Sequence, residues 1–419
     1  MPASSVVNAM REFNKLWAGQ TVSLVGSALT MFALPSLAVL TLHATAAQIG
    51  ILSALQLLPF PVLGLVVGVL ADRFSRRRMM IYADFVRFAA LGGVPLCAAI
   101  HWLQMPVLYA VALITGTASV FFGVAYQSYL PVVVSKEQLT DANAKLEFSN
   151  SGSQMAGNAL GGILVQWLGA VLAIAVDAVS YVVSVVSLFW IRVPEPAHDG
   201  PDLTVRQGWL EVREGWRVVF DTPDLRWITF TTGTGNFGFA MVGAVMLIYA
   251  YRVLHLEPAL LGVVWGIAEI GFVGALLAMP VRRWLGLRRT LFFSAAAIGV
   301  SGFVLLPAQL GVPYVLILIS AVGMNLTVPI YNVNQISYRQ ALVDVRLQGR
   351  MNATIRTIVW GTMPLGSLAG GWLATLTSIP VTIVTGSALA TLAALWLLPL
   401  QERPTVREGF APEQPYEAE

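Results

Sequence analysis

Apolar runs long enough to cross a lipid bilayer recur along almost the whole chain, with short polar interruptions between them. A spanning helix needs about 20 apolar residues. Runs of that kind lie near residues 16–42, 48–71, 79–100, 106–130, 148–167, 171–191, 226–250, 259–280, 290–308, 312–335, 353–375 and 380–400, twelve in all. The interruptions alternate in character. The links at 43–47, 101–105, 168–170, 251–258, 309–311 and 376–379 are short and hold one cation, Arg252. The others hold Arg73, Arg76, Arg77 and Arg78, then Lys136 and Lys145, the basic stretch from Arg192 to Arg226, and Arg282, Arg283, Arg288, Arg289, Arg339, Arg346 and Arg350. Cytoplasmic loops carry the excess of Lys and Arg, so the pattern predicts that both termini and every basic link face the cytoplasm. The first run is too long for a cleavable leader and has no small-residue cleavage site, so it reads as a first membrane helix.

The longest link breaks helix at Pro194, Pro196 and Pro201 and then spaces Leu210, Trp216, Val219 and Phe220 as one apolar face. This predicts an amphipathic helix on the inner membrane surface. A shift of 209 residues superposes part of the chain on itself. Ser128-Tyr129 meets Ser337-Tyr338 and Asn143-Ala144 meets Asn352-Ala353, while Gly157, Gly161 and Gly162 meet Gly366, Gly370 and Gly371. An internal repeat of half the chain predicts two related six-helix units. The expected organisation is a first bundle at 1–193, a linker at 194–225, a second bundle at 226–400 and a disordered tail at 401–419.

Composition narrows the class. Of 419 residues, 57% are hydrophobic and 11% charged, against about 25% charged in soluble domains. A net charge of +3 is no signature of nucleic-acid binding. Cys97 is the sole cysteine, and His43, His101, His198 and His255 are widely separated, which excludes an internal disulfide and leaves no metal-ligand spacing. No phosphate-cradling Gly-x-x-x-x-Gly-Lys loop and no nucleophile constellation occurs. The chain reads as neither an ATP-driven pump nor an enzyme, and no cofactor is expected.

Between the second and third runs stands Gly68-Val-Leu-Ala-Asp72-Arg73-Phe-Ser-Arg76-Arg77-Arg78. The form Gly-x-x-x-Asp-Arg-x-x-Arg-Arg resembles the loop motif of major facilitator superfamily transporters. The resemblance implies an inner gate in which Asp72, Arg73, Arg76 and Arg77 lock the cytoplasmic mouth, with Asp84 and Arg87 extending that network. In the fifth run, Ser153-x-x-x-Gly157-Asn158-x-x-Gly161-Gly162 resembles the antiporter motif, with Asn158 where the family usually has proline. Tyr129-Leu-Pro131, Asp84-x-x-Arg87, Asp177-Ala-x-Ser180-Tyr-x-x-Ser184, Gly349-Arg350-Met-Asn352-Ala353 and Trp360-Gly361-x-x-Pro364-Leu-Gly366 are similar to the drug:proton antiporter subgroup that holds macrolide efflux proteins and the enterobactin exporter. That resemblance spans the chain apart from its tail. It implies proton-driven export of bulky amphipathic compounds, with small-molecule substrate, protons and lipid as partners, by a monomer in a bacterial inner membrane. Relatives often carry an acid after the Ser-x-x-Gly turn of the first helix; here Ser23-Leu-Val-Gly26 is followed by Ser27.

Ionisable residues inside the bilayer cost about 2.5–3.5 kcal/mol each at a helix centre and mark function by default. Glu269, Asp177, Glu147 and Arg356 are therefore the candidates for proton coupling. Glu147 and Arg356 occupy equivalent positions in the repeat, which predicts a pair across the two halves. Asp84 and Arg87, three residues apart, can pair on one helix face. In the implied fold, helices one, four, seven and ten line the cavity, offering Gln20, Phe32, Phe121, Tyr126, Asn236, Phe237, Asn325, Tyr331 and Asn332 to an amphipathic solute. Gly157, Gly161, Gly162, Gly366, Gly370 and Gly371 form the close-packing motif. The expected fold is an all-α membrane protein of twelve helices in two pseudo-symmetric bundles. Its expected function is proton-antiport efflux of drug-like or siderophore-like compounds, with a lipid flippase or an importer on the same fold as the alternative.

Overall fold

A computed structural model describes residues 3–135, 138–193, 195 and 205–401. The side chains of residues 3–9, 65, 69, 72 and 205–212 lie outside that description, and so do Lys136, the linker prolines 194, 196 and 201, and the tail beyond 401.

The chain is helical throughout. The first half comprises α1 (Ala3–Leu40), α2 (Ala46–Leu57), α3 (Pro59–Arg73), α4 (Arg76–Ala99), α5 (Met105–Val133), α6 (Leu139–Leu168) and α7 (Ala170–Trp190). A linker helix, α8 (Val205–Asp221), follows. The second half comprises α9 (Pro223–Ile248), α10 (Pro258–Ala268), α11 (Gly274–Leu285), α12 (Leu287–Phe303), α13 (Pro313–Leu342), α14 (Val345–Leu376) and α15 (Ile379–Leu392). Among the described residues, ten segments are long and apolar enough to span a bilayer. Helices α6 and α14 are as long but carry more polar residues, and they stand where the halves meet.

Local chemistry sets the ends. Ser75, Asp344 and Ser378 cap α4, α14 and α15 through their side chains, and Thr45 with Gln48 forms a capping box at α2. At the short links the chain reverses through left-handed residues: His43, His101 and His255 have φ of 52°, 55° and 51°, and Gly169 and Gly311 do the same work at their own links. Two apolar runs expected to be single helices are interrupted instead. The second run breaks between Leu58 and Pro59, because proline removes a backbone donor and crowds the preceding turn. The eighth breaks at a 3-10 turn over Glu269–Val273. The two breaks fall at nearly equivalent points of the 209-residue repeat.

Each half builds the same packing. Helix α1 lies against α6 and α7, and α9 lies against α14 and α15. Gly157 admits Val25 and Ala28 of α1, while Gly366 admits Phe237 of α9; the repeat maps Ala28 onto Phe237. The halves meet through α10 on α6 and through α2 and α3 on α14. At those crossings Gly162 faces Gly262, and Gly371 faces Gly50, so closely that a Cβ on any of the four would fall within 3.0 Å of backbone atoms. Further bonds between the halves lie at this end. Ser36 meets Tyr251 at 2.9 Å, Arg252 donates to the Val39 carbonyl at 3.2 Å, and Thr375 Oγ1 accepts from the Ala47 amide at 3.1 Å. The structure is thus closed at the end that carries the short, cation-poor links.

Overpacking a filled interior costs about 1–3 kcal/mol. Gly162→Ala and Gly371→Ala should each lower thermal stability in detergent by about that amount. Gly64→Ala, where an added Cβ meets nothing within 4 Å, should be neutral or stabilising; equal melting shifts for all three would contradict the seam.

Candidate functional site

The arginine-rich stretch folds into a clasp inside the first half. The Glu195 carboxylate accepts from Ser75 Oγ at 2.7 Å and from the backbone N–H groups of Arg76 and Arg77 at 2.8 and 3.0 Å, sealing the N-terminus of α4. A carboxylate is favoured there because the first amides of a helix have no internal partner. The Arg77 guanidinium in turn donates to the carbonyls of Leu188 and Phe189 at 2.7 and 2.8 Å, closing the C-terminus of α7. Arg73 is exposed, Arg76 is half-buried, and the Asp72 side chain lies outside the described residues.

Asp84 and Arg87 do not extend this clasp. Their ion pair, 3.0 Å long, is buried between α4, α5 and α7. The Arg87 guanidinium lies 4.8 Å from the Phe122 ring centroid and 5.2 Å from that of Tyr181, and donates to the Ala118 carbonyl at 3.4 Å. Nor are Glu147 and Arg356 brought together. Glu147 is exposed, Arg356 lies 5.5 Å over the Trp360 ring, and no ion pair joins them among the described residues.

The acid at the seam is Glu269. It stands at the 3-10 break between α10 and α11, half-buried, with Asn158 Nδ2 of α6 at 3.5 Å across the halves. Asn158, the departure from the family motif, is thus the neighbour of the seam's only membrane-level acid among the described residues. The break is held open by Asn325, whose Nδ2 donates to the Ala268 carbonyl at 3.1 Å, and by Gly271 and Gly274, which let α13 approach backbone to backbone.

Glu269 and Asn158 edge a cavity of about 300 Å³ inside the second half. Its walls are mostly apolar or small: Phe239, Val242 and Met246 of α9, Trp265 of α10, Ile298, Gly299 and Gly302 of α12, Ile317 and Met324 of α13, and Gly386 and Ala390 of α15. A second cavity of about 230 Å³ shares Phe239, Ile298, Met324, Asn325 and Ala390 with it and continues along Thr232, Asn236, Tyr331 and Asn332. Of the residues expected to face solute, Asn236, Asn325, Tyr331 and Asn332 line these spaces. The other five line neither. Phe32 is buried edge-on to Trp265, with centroids 5.6 Å apart; Tyr126 stacks on Phe122; the Phe237 carbonyl covers Gly366; Gln20 and Phe121 are half-buried in the first half. Helices α12 and α15 contribute mostly small residues, Gly299, Ser301, Gly302, Gly386, Ser387 and Ala390, whose value is the space they leave.

Asp177 is fully buried on α7, bonded to Ser180 at 2.9 Å, and lies against Gly26 of α1. No three His, Cys, Asp or Glu side chains converge among the described residues. The linker helix α8 packs on α14, where Glu214 pairs with Arg350 and Gly215 fits over Thr354.

A family model described as Major Facilitator Superfamily matches residues 16–360. Macrolide efflux protein A of Streptococcus pyogenes is 26% identical over 373 residues, 85% of this chain and 87% of that protein. Multidrug efflux pump Tap of Mycobacterium tuberculosis is 28% identical over 368 residues, 83% of each. Among solved structures, a bacterial homologue of the iron transporter ferroportin in an inward-facing state superposes with a TM-score of 0.73 at 14% identity, covering 93% of this chain and 98% of that one. The nucleoside transporter NupG superposes equally, at 0.73 and 12% identity, covering 92% and 98%.

Loss of a helix N-cap carboxylate costs about 0.5–2 kcal/mol. Glu195→Ala should lower thermal stability in detergent by about that much, whereas Glu147→Ala, at an exposed carboxylate, should leave it unchanged. Equal melting temperatures for wild type and Glu195→Ala would remove the clasp from the account.

Proposed function

We propose that this chain, which belongs to the Major Facilitator Superfamily, exports amphipathic organic solutes across a bacterial inner membrane by proton antiport. The observation that carries the reading is the second-half cavity: apolar and aromatic walls, few hydrogen-bonding groups, and one carboxylate at the edge nearest the other half. Such a surface holds a solute by area and ring contact and orients it by a single polar handle. The named functions of the efflux relatives support the same solute class.

Charge and packing support an orientation and a cycle for this reading. The basic links belong on the cytoplasmic side by the positive-inside rule. The glycine crossings then close the outer end, and solute enters from the inner end. Rocking of the halves about the seam exchanges that opening for an outer one. Asp72 and the arginines beside it act in the opposite state, when the inner mouth closes. Glu269 sits at a broken helix, in the position where backbone and side chain can change together, and its carboxylate suits a basic group on the solute.

An efflux assay in a pump-deficient bacterial host tests this reading. Expression of the chain should lower accumulation of ethidium and of a macrolide, and a protonophore should abolish the effect. Unchanged accumulation of a panel that also includes tetracyclines and siderophores would sink it. Glu269→Gln should weaken efflux of cationic ethidium by about tenfold or more, since a hydrogen bond to a charged group is worth about 1.5–3 kcal/mol, and should spare neutral chloramphenicol. Asp72→Asn should leave expression intact and slow flux of every solute alike; full flux in that variant would refute the gate role.

A further inference from the structure

The first half contains a group of charges that neither the clasp nor the cavity uses. Asp84 and Asp177 are each fully buried, and Arg87 is 6% exposed. Asp84 pairs with Arg87, and Asp177 lies within electrostatic reach of both. Two buried carboxylates therefore lie in the field of one guanidinium, and one of them is paired with it. With both acids ionised the group would hold one uncompensated negative charge in a dry interior, and an unpaired buried charge is costly enough that the group neutralises instead. Either carboxyl can take the proton.

The bonding leaves room for that proton. Asp84 Oδ2 and Asp177 Oδ2 are buried with only the hydroxyls of Ser184 and Thr30 beside them, and Arg87 Nε is buried without a hydrogen-bond partner. The fold does not need the charges. Carried through the 209-residue shift, Asp177 falls on Gly386, Asp84 on Phe293 and Arg87 on Ala296. Gly386 lines the second-half cavity. The positions that are ionic in the first half carry no ionisable group in the second, and the bundle forms both ways.

We propose that Asp84, Arg87 and Asp177 form a buried binding site for one exchangeable proton, and that this site couples the proton gradient to export. The proposal rests on the antiport reading above. The other titratable groups near it are phenols, Tyr181 of α7 and Tyr126 of α5. Helix α1 faces it with Ser23, Ser27, Thr30 and Gly26, its ionisable Arg11, Glu12 and Lys15 lying toward the basic end. Helix α6 carries Asp141, Lys145 and Glu147 exposed at that same end. Helix α1 packs closely on α7 beside the site, with Gly19 against Ser187 and Gly26 against Asp177 and Ser180. The step is simple in balance: a carboxyl releases its proton to water on one side, and a carboxylate regains one from the other.

Infrared titration of the purified full-length protein reads the proton directly. Wild type should show a protonated carboxyl band that is lost in a one-proton step as pH rises. Asp84→Asn and Asp177→Asn should each abolish it, since one acid and one arginine then balance, and Glu269→Gln should leave it in place. A band that survives in both aspartate variants, or that disappears only in Glu269→Gln, overturns the site. In proteoliposomes the same two variants should bind ethidium as wild type does and lose the gradient-driven part of its transport. Wild-type antiport that persists in both variants overturns this site alone. A wild type that shows the band and binds ethidium but exchanges no protons for it overturns the antiport reading instead. Charge counting adds a check on folding: Arg87→Gln should destabilise the protein, and adding Asp177→Asn should restore part of the loss.

Discussion

Two glycine-to-glycine crossings hold this molecule in one conformation. Inside a bilayer, helices gain nothing by hiding apolar side chains from lipid that is equally apolar, so association depends on close van der Waals fit and on backbone approach. Gly162 on Gly262 and Gly50 on Gly371 supply that fit at two points related by the internal repeat. A pair of contacts on either side of a pseudo-axis defines a hinge line, and three of the polar contacts that join the halves lie on one side of it: Ser36 with Tyr251, Arg252 with Val39, Thr375 with Ala47. Bonds so placed close one end and leave the other free to part. The exposure of Glu147 is a consequence of that geometry.

The repeat would make the halves interchangeable if its chemistry were as symmetric as its packing. It is not. Where the first half fills the junction of its α4, α5 and α7 helices with two acids and an arginine, the second carries Phe293, Ala296 and Gly386 at the repeat-equivalent positions. Helix packing tolerates both fillings because the framework is fixed by α1 on α6 and α9 on α14, whose glycine contacts are equivalent. A duplicated framework of this kind allows one copy to carry charge and the other to carry space.

The spans, the two bundles and the amphipathic α8 were legible in the sequence because each depends on a quantity summed over many residues: hydrocarbon excludes charge, and a repeat of half a chain shows through scattered identities. Single-residue geometry was not. The break at Leu58–Pro59 had its proline as a sign, yet a proline in a membrane helix as often bends as breaks it, and the break at Glu269 had only flanking glycines. That Arg77 closes the end of α7 in this conformation could not be read from the sequence, since the reach of a guanidinium depends on where a neighbouring helix ends. The cavity walls on α12 and α15 were invisible because Gly299, Gly302 and Gly386 act by lacking atoms. Asp177 and Glu269 were both found by one rule, that buried acids in membranes are rare. The same rule could not show that one sits among hydroxyls and an arginine and the other at an apolar cavity.

On the proposal that the first half holds the proton, a physical link to the solute cavity is required, and α1 is the element that reaches both. Gly26 lies against Asp177 and Ser180, and Ser27 bonds Tyr181 at 2.9 Å. Six residues on, roughly 9 Å along a helix rising 1.5 Å per residue, Phe32 meets Trp265 edge to face, and Trp265 is a wall of the cavity beside Glu269. Close contact at Gly26 means that a change of charge on Asp177 changes the fit of α1 on α7. A rigid helix passes that change to Phe32, and the ring it touches belongs to the other half. Solute that presses on Trp265 acts on the same helix from the opposite end. Coupling of this form needs one element with two positions and a ligand that prefers one of them at each end, and α1, packed on small residues along one face, is built to move in that way.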